Sequence, residues 1–224
     1  MVERGWQRRL FSLSAVVPLG FFLLEHTWQN ALAMRGQAAY ASKAEAFAGI
    51  PLLFVLEIAL VFAPLGYHAI YGLMMMREGI PSDSPYKPRS LAIANRGAAL
   101  VALAFIVWHV WEYRVQAWRH GVAPSALYTM LVWQLSATWH GIPARAALYL
   151  AGVLATTFHF AVSGWGYGVT SGVFATPLQR KRAAYGCLMV GSLLFVVSAG
   201  TVISLATGVQ LSESETTDTP CTKK

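Results

Sequence analysis

The sequence predicts an all-α fold, an integral membrane bundle of five transmembrane helices. Three observations lead there. Of the 224 residues, 56% are hydrophobic and 12% charged, against about 25% charged in ordinary soluble domains. The apolar residues gather into five blocks, each of the roughly 20 residues that a bilayer crossing needs. Basic residues and helix breakers cluster between the blocks instead of being spread along them.

The blocks lie at about 9–33, 50–76, 92–117, 144–169 and 183–207. Together they make one domain, 1–211, with a polar tail, 212–224, that has no periodicity and is expected to be a disordered extension. The first block follows Arg8 and Arg9, as a signal peptide would. It is longer than a signal-peptide apolar core, contains Glu25 and His26, and lacks a small-x-small cleavage site before the polar loop, so a retained helix is expected. The connection 77–91 contains Gly79, Pro81, Pro85 and Pro88 and reads as a loop. The connection 118–143 is longer. Its stretch from Ala126 to Trp139 is apolar and aromatic but too short to cross, and it is bounded by Pro124 and Pro143. It reads as an interfacial segment on the outer surface, with Trp118, Trp133 and Trp139 in the aromatic belt.

The net charge of +7 does not signal nucleic acid here, because the basic residues sit at the ends of spans, where they set orientation. Arg4, Arg8 and Arg9 precede the first span. Arg77, Lys87, Arg89 and Arg96 flank the second connection, and Arg180, Lys181 and Arg182 fill the fourth. That side carries ten basic residues; the other carries seven, Arg35, Lys43, Arg114, Arg119, Arg145, Lys223 and Lys224. The N-terminus is therefore expected in the cytoplasm and the C-terminus outside. Cys187 falls in the inner part of the last block and Cys221 in the outer tail, so they are not expected to pair. No C-x-x-C-H occurs, which excludes covalent c-type haem attachment.

Six histidines are present. His120 and His140 lie in the outer connection and read as interfacial polar residues. His26, His68, His109 and His159 each sit inside a different one of the first four blocks. Ionisable residues within a span are costly and mark functional positions. At about 1.5 Å per residue, His26 lies roughly 25 Å beyond Arg9 and His109 roughly 20 Å beyond Arg96, both in the outer half. His68 lies about 13 Å from Arg77, and His159 about 21 Å from the outer Arg145, both in the inner half. The four thus sort into an outer pair, His26 with His109, and an inner pair, His68 with His159, roughly 10–12 Å apart in depth. Two neutral imidazoles facing each other across a bundle are suitable axial ligands for a b-type haem. A structural zinc site wants three or four ligands at one level. A cofactor-free proton relay is the competing reading, though its carriers would form a continuous polar chain.

Arg8-Arg9-Leu10-Phe11-Ser12-Leu13-Ser14 leading to Glu25-His26 resembles the first helix of the five-helix, di-haem cytochrome b subunits of succinate dehydrogenases and fumarate reductases. So do Leu56-Glu57-Ile58, Pro64-Leu65-Gly66-Tyr67-His68-Ala69-Ile70-Tyr71-Gly72, Trp108-His109-Val110-Trp111-Glu112 and Thr156-Thr157-Phe158-His159-Phe160. The resemblance runs in order over about 4–205 and leaves the tail uncovered. It implies a membrane anchor with two haem b groups, their iron held by the histidine pairs above. It implies an iron–sulphur subunit that feeds the inner haem, itself fed by a flavoprotein carrying FAD, both on the cytoplasmic face. Succinate chemistry would lie on another subunit, and quinone, mostly menaquinone in such members, would react near the outer haem in the inner membrane of a prokaryote. An anchor of another dehydrogenase, such as a hydrogenase or formate oxidoreductase, fits the motif order less well.

Other polar residues carry two readings each. Glu57 lies eleven residues before His68, which on a regular helix returns to within about 20° of it and roughly 16 Å further out. It is either a proton carrier for quinone at the outer level or a hydrogen-bonded structural acid. Glu112, one turn beyond His109, either serves the same outer site or sits at the interface, and the interface is the favoured reading. Glu25 points about 100° away from His26 and is a poorer candidate. Pro64 is expected to bend the second helix. Arg77, Arg96 and Arg180 read as snorkelling inner anchors, with haem propionates as alternative partners.

Overall fold

A computed structural model describes residues 3–79 and 88–210. Residues 80–87 of the expected loop 77–91 and the tail 212–224 lie outside the described residues. Helix α1 covers 3–35, α2 is Gln37–Ala48, α3 Leu53–Arg77, α4 Arg89–His120, α5 Leu127–Ser136, α6 Ala144–Thr170 and α7 Pro177–Thr207. Five of them, α1 through its segment Leu10–Arg35 together with α3, α4, α6 and α7, are long and apolar enough to cross a membrane.

Local chemistry explains the boundaries. Gly36 adopts φ 100°, a conformation that side chains resist, and so separates α1 from α2. Pro88 and Pro143 immediately precede α4 and α6. Helix α7 starts well before the expected residue 183, because Thr176 and Gln179 form a reciprocal capping box ahead of Pro177. Arg180, Lys181 and Arg182 therefore belong to the first turns of α7 and not to the connection. Gly208, with φ 74°, ends it.

Three helices contain a widened, i→i+5 turn: Ala15–Leu19 in α1, Ile58–Phe62 in α3 and Val110–Val115 in α4. Pro18 sits within the first and Pro64 just after the second. A proline lacks the amide that a regular turn would use, and a wide turn absorbs the missing bond. The third contains no proline. It follows His109 directly and carries Glu112 and Arg114.

Helix α6 packs along both α4 and α7, α7 lies against α1, and α1 against α3. A Cβ at Gly191 of α7 would stand 2.7 Å from that of Ala161 in α6, so glycine permits this close approach. The α3 and α4 sides are bridged by an ion pair between Glu57 and Arg114.

The two ends of the bundle differ. One end is capped by α2 and α5, which neither cross nor stand alone. Tyr40 and Ala44 of α2 and Leu131 and Leu135 of α5 are buried with Ala33, Ala146, Tyr149, Val202 and Leu205 of the spans. Full burial of a leucine side chain is worth about 1.5–3 kcal/mol where water is the alternative, and Leu135 is 1% exposed. The expected interfacial segment is thus a helical lid with one buried face, while Trp118, Trp133 and Trp139 stay outside and exposed. The opposite, loop end carries the connections α3–α4 and α6–α7. There Arg96 donates to the carbonyls of Met76 and Gly79, and Arg180 to those of Phe174 and Ala175.

Candidate functional site

Four spans each carry one histidine toward the bundle interior, and they meet in two pairs. The rings of His26 on α1 and His109 on α4 have centroids 5.7 Å apart, close to perpendicular. Those of His68 on α3 and His159 on α6 are 6.2 Å apart. Phe105 of α4 lies where a Cβ of Gly152 in α6 would be, 2.2 Å from its ring, which sets the register of these antiparallel helices. From that level His109 is four residues toward the capped end and His159 seven toward the loop end. The two Cα levels are therefore roughly 16 Å apart. Side chains lean toward their own helix N-terminus, so these two lean toward each other and the rings are closer than that.

The Nδ1 atoms of His68, His159 and His109 have identifiable partners. His68 Nδ1 is 3.2 Å from the carbonyl of Phe11, and His159 Nδ1 is 3.3 Å from the carbonyl of Asn95. Carbonyl oxygens only accept, so both rings carry the proton on Nδ1 and keep a lone pair on Nε2. His109 Nδ1 is 3.4 Å from the hydroxyl of Tyr149. Aromatic rings pack on the histidines: Phe11 stacks on His68 at 4.3 Å, Phe22 on His26 at 5.2 Å, and Phe105 on His109 at 5.7 Å. Residue Phe11 serves His68 twice, through its ring and its carbonyl.

This donor set fits a metal held between two imidazoles. Metal–imidazole bonds of roughly 2.0–2.1 Å, two in line, set ring centres about 6 Å apart, near both observed separations. A ligating histidine typically donates its other N–H to a carbonyl or another fixed acceptor. Gly166, seven residues beyond His159 and on the same face, has no heavy atom within 4 Å of a would-be Cβ, so that face can admit a flat group. Among the described residues, no three His, Cys, Asp or Glu side chains gather as a metal site, which leaves no place there for tetrahedral zinc.

The acids lie at the capped end. Glu57 is ion-paired with Arg114. The wide turn Ile58–Phe62 falls between Glu57 and His68, so regular 100° steps do not describe their relative angle. Glu112 is not interfacial but buried, at 9% exposure. It is ion-paired with Arg145 and accepts a 3.0 Å hydrogen bond from Tyr149. The wide turn after His109 is the physical reason: it changes the direction in which the next turn projects its side chains. Glu25 pairs with Lys43 of α2 at 3.6 Å. His120 lies exposed, 3.1 Å from Gln116, and His140 is exposed beside Trp139.

Sequence reasoning placed Arg114 and Arg145 on this side but missed their pairing with Glu57 and Glu112, and it missed Tyr149. One signal was available: an acid within a span requires a partner, and these two arginines are cations expected on the same side as the acids.

Fold and site define a class: a polytopic helical membrane protein with paired intramembrane histidines at two depths. The chain is 34% identical over 185 residues to the succinate dehydrogenase cytochrome b558 subunit of Bacillus subtilis, covering 82% of this chain and 88% of that one. The chain belongs to the succinate dehydrogenase cytochrome b subunit family. No family model and no solved structure matches it.

Proposed function

We propose that the chain is the two-haem membrane anchor through which a succinate:quinone oxidoreductase exchanges electrons with quinone. The observation that carries this reading is the meeting of four histidines in two pairs, α1 with α4 and α3 with α6, at two depths of one bundle. The relative's name supports haem b as the group held there. His26 and His109 are assigned to the haem at the capped end, His68 and His159 to the haem at the loop end. Bound there, haem b supplies reversible one-electron transfer at each level.

The protein's own residues do the rest. Backbone carbonyls of Phe11 and Asn95 hold the imidazoles in the tautomer that keeps the lone pair on Nε2. The apolar spans exclude water and lipid head groups from the interior between the levels. Quinone reduction consumes protons as well as electrons, and the intramembrane acids stand only toward the capped end among the described residues. Glu57, paired with Arg114, is assigned as the carboxylate that gives or takes a proton at the quinone oxygen. The quinone is assigned as menaquinone.

The loop end is assigned to the cytoplasm by its excess of basic residues, which puts the N-terminus inside and the C-terminus outside a prokaryotic inner membrane. Arg89, Arg96 and the cluster Arg180-Lys181-Arg182 lie at that end. They form a positive face on which an iron–sulphur subunit docks, carrying with it the flavoprotein that holds FAD. Haem content and reduced-minus-oxidised spectra of the purified complex test the reading. Two b-type haems per chain are expected; a folded, colourless anchor would overturn it in favour of a histidine-lined proton path.

A further inference from the structure

His109 differs from His68 and His159 in the group that its Nδ1 meets. His68 and His159 meet neutral backbone carbonyls. His109 instead meets Tyr149, 4% exposed, whose hydroxyl donates its only proton to Glu112 at 3.0 Å. With that proton committed, the tyrosine oxygen can only accept from His109, so the imidazole proton sits on Nδ1. Arg145 forms an ion pair with the same carboxylate. The chain Nδ1–H···Oη–H···Oε2 therefore ends on a negative charge. Tyr113 and Phe105 pack their rings on both His109 and Tyr149 and hold the arrangement in place.

We propose that Tyr149 is a positioning residue for the capped-end haem, coupling the Glu112–Arg145 pair to His109 and thereby lowering that haem's midpoint potential. This rests on the two-haem reading above. A hydrogen-bond acceptor that is itself bound to a carboxylate makes the imidazole a stronger electron donor, and a stronger donor stabilises the oxidised iron. At the loop end, the corresponding contacts of His68 and His159 are to neutral carbonyls. One anchor thus gives its two haems different second partners.

Redox titration of the purified complex tests this, following the two haem bands of the intact protein, Tyr149→Phe and Glu112→Gln. His26→Met, which alters a ligand of the capped-end haem, identifies its wave. Tyr149→Phe keeps the ring packing and removes the link; Glu112→Gln keeps the volume and removes the charge. In both, the capped-end wave is expected to move to higher potential while the other stays in place, with both bands retained. Movement of both waves together, movement downward, or no movement in either variant overturns the proposal. Absence of haem from the unmodified protein would instead overturn the functional reading on which it rests.

Discussion

At the loop end, His68 and His159 turn Nδ1 to the carbonyls of Phe11 and Asn95; at the capped end, His109 turns it to a tyrosine bound to a buried carboxylate. A helix carbonyl is a fixed dipole that neither titrates nor rotates away. It suits a relay that only passes electrons. A network of Tyr149, Glu112 and Arg145, with the Glu57–Arg114 pair toward the same end, can redistribute protons, which electron passage alone does not require but quinone chemistry does. The ends also differ in packing. Helices α2 and α5 close the capped end over a buried cluster, whereas arginine side chains tie the connections at the loop end. Among the described residues, the intramembrane acids and the buried cluster thus lie at the same end.

The largest expected effect breaks the two levels apart. His26→Ala and His68→Ala should each lose or severely disturb one haem, and not the same one, as haem content and difference spectra would show. Loss of both haems in each variant would mean that the levels are not independent. Next, Glu57→Gln should slow quinone turnover by roughly 100-fold or more with both haem bands intact. Turnover at the original rate would remove Glu57 from the proton path and leave it a structural partner of Arg114.

Packing substitutions are milder and should be felt at the capped end. Leu135→Ala opens space in the buried cluster and should cost about 2–5 kcal/mol, seen as a lower midpoint in thermal or denaturant unfolding. Gly152→Ala forces Phe105 off its seat and should cost about 1–3 kcal/mol. Because Phe105 stacks on His109, the same variant should alter the capped-end haem spectrum and spare the other. The smallest effect concerns Tyr40 of α2, whose ionisation burial pushes up to about 12 from 10.0. An unfolded chain releases this proton near pH 10 and the folded one only near 12, so stability falls as pH rises across that window. Tyr40→Phe should flatten that part of the pH–stability curve without changing stability near neutrality.

Much of the fold was legible along the chain. A span needs a continuous apolar block, so composition marks it directly, and four of the five expected spans begin and end within a few residues of the observed helices. The fifth began earlier because a capping box outweighed the charge of Arg180-Lys181-Arg182. Helix α2 was not foreseen: its sequence from Gln37 to Ala48 is short, mixed and weakly amphipathic, and its helix is held by burial of Tyr40 and Ala44. The histidine pairing was legible because depth follows from counting residues at a constant rise. Counting failed for angle, which a single wide turn alters. That is why Glu112, expected at the interface, lies buried beside Tyr149.

The sequence by itself therefore determined the number of spans, the side preference of the charges and the depth of each histidine, all properties that accumulate along one helix axis. Tertiary structure alone decided which nitrogen of His68, His109 and His159 is held, which arginine answers which acid, and that Tyr149 stands between Glu112 and His109. Those depend on the rotation of one helix against another, and three wide turns and two capping helices set it.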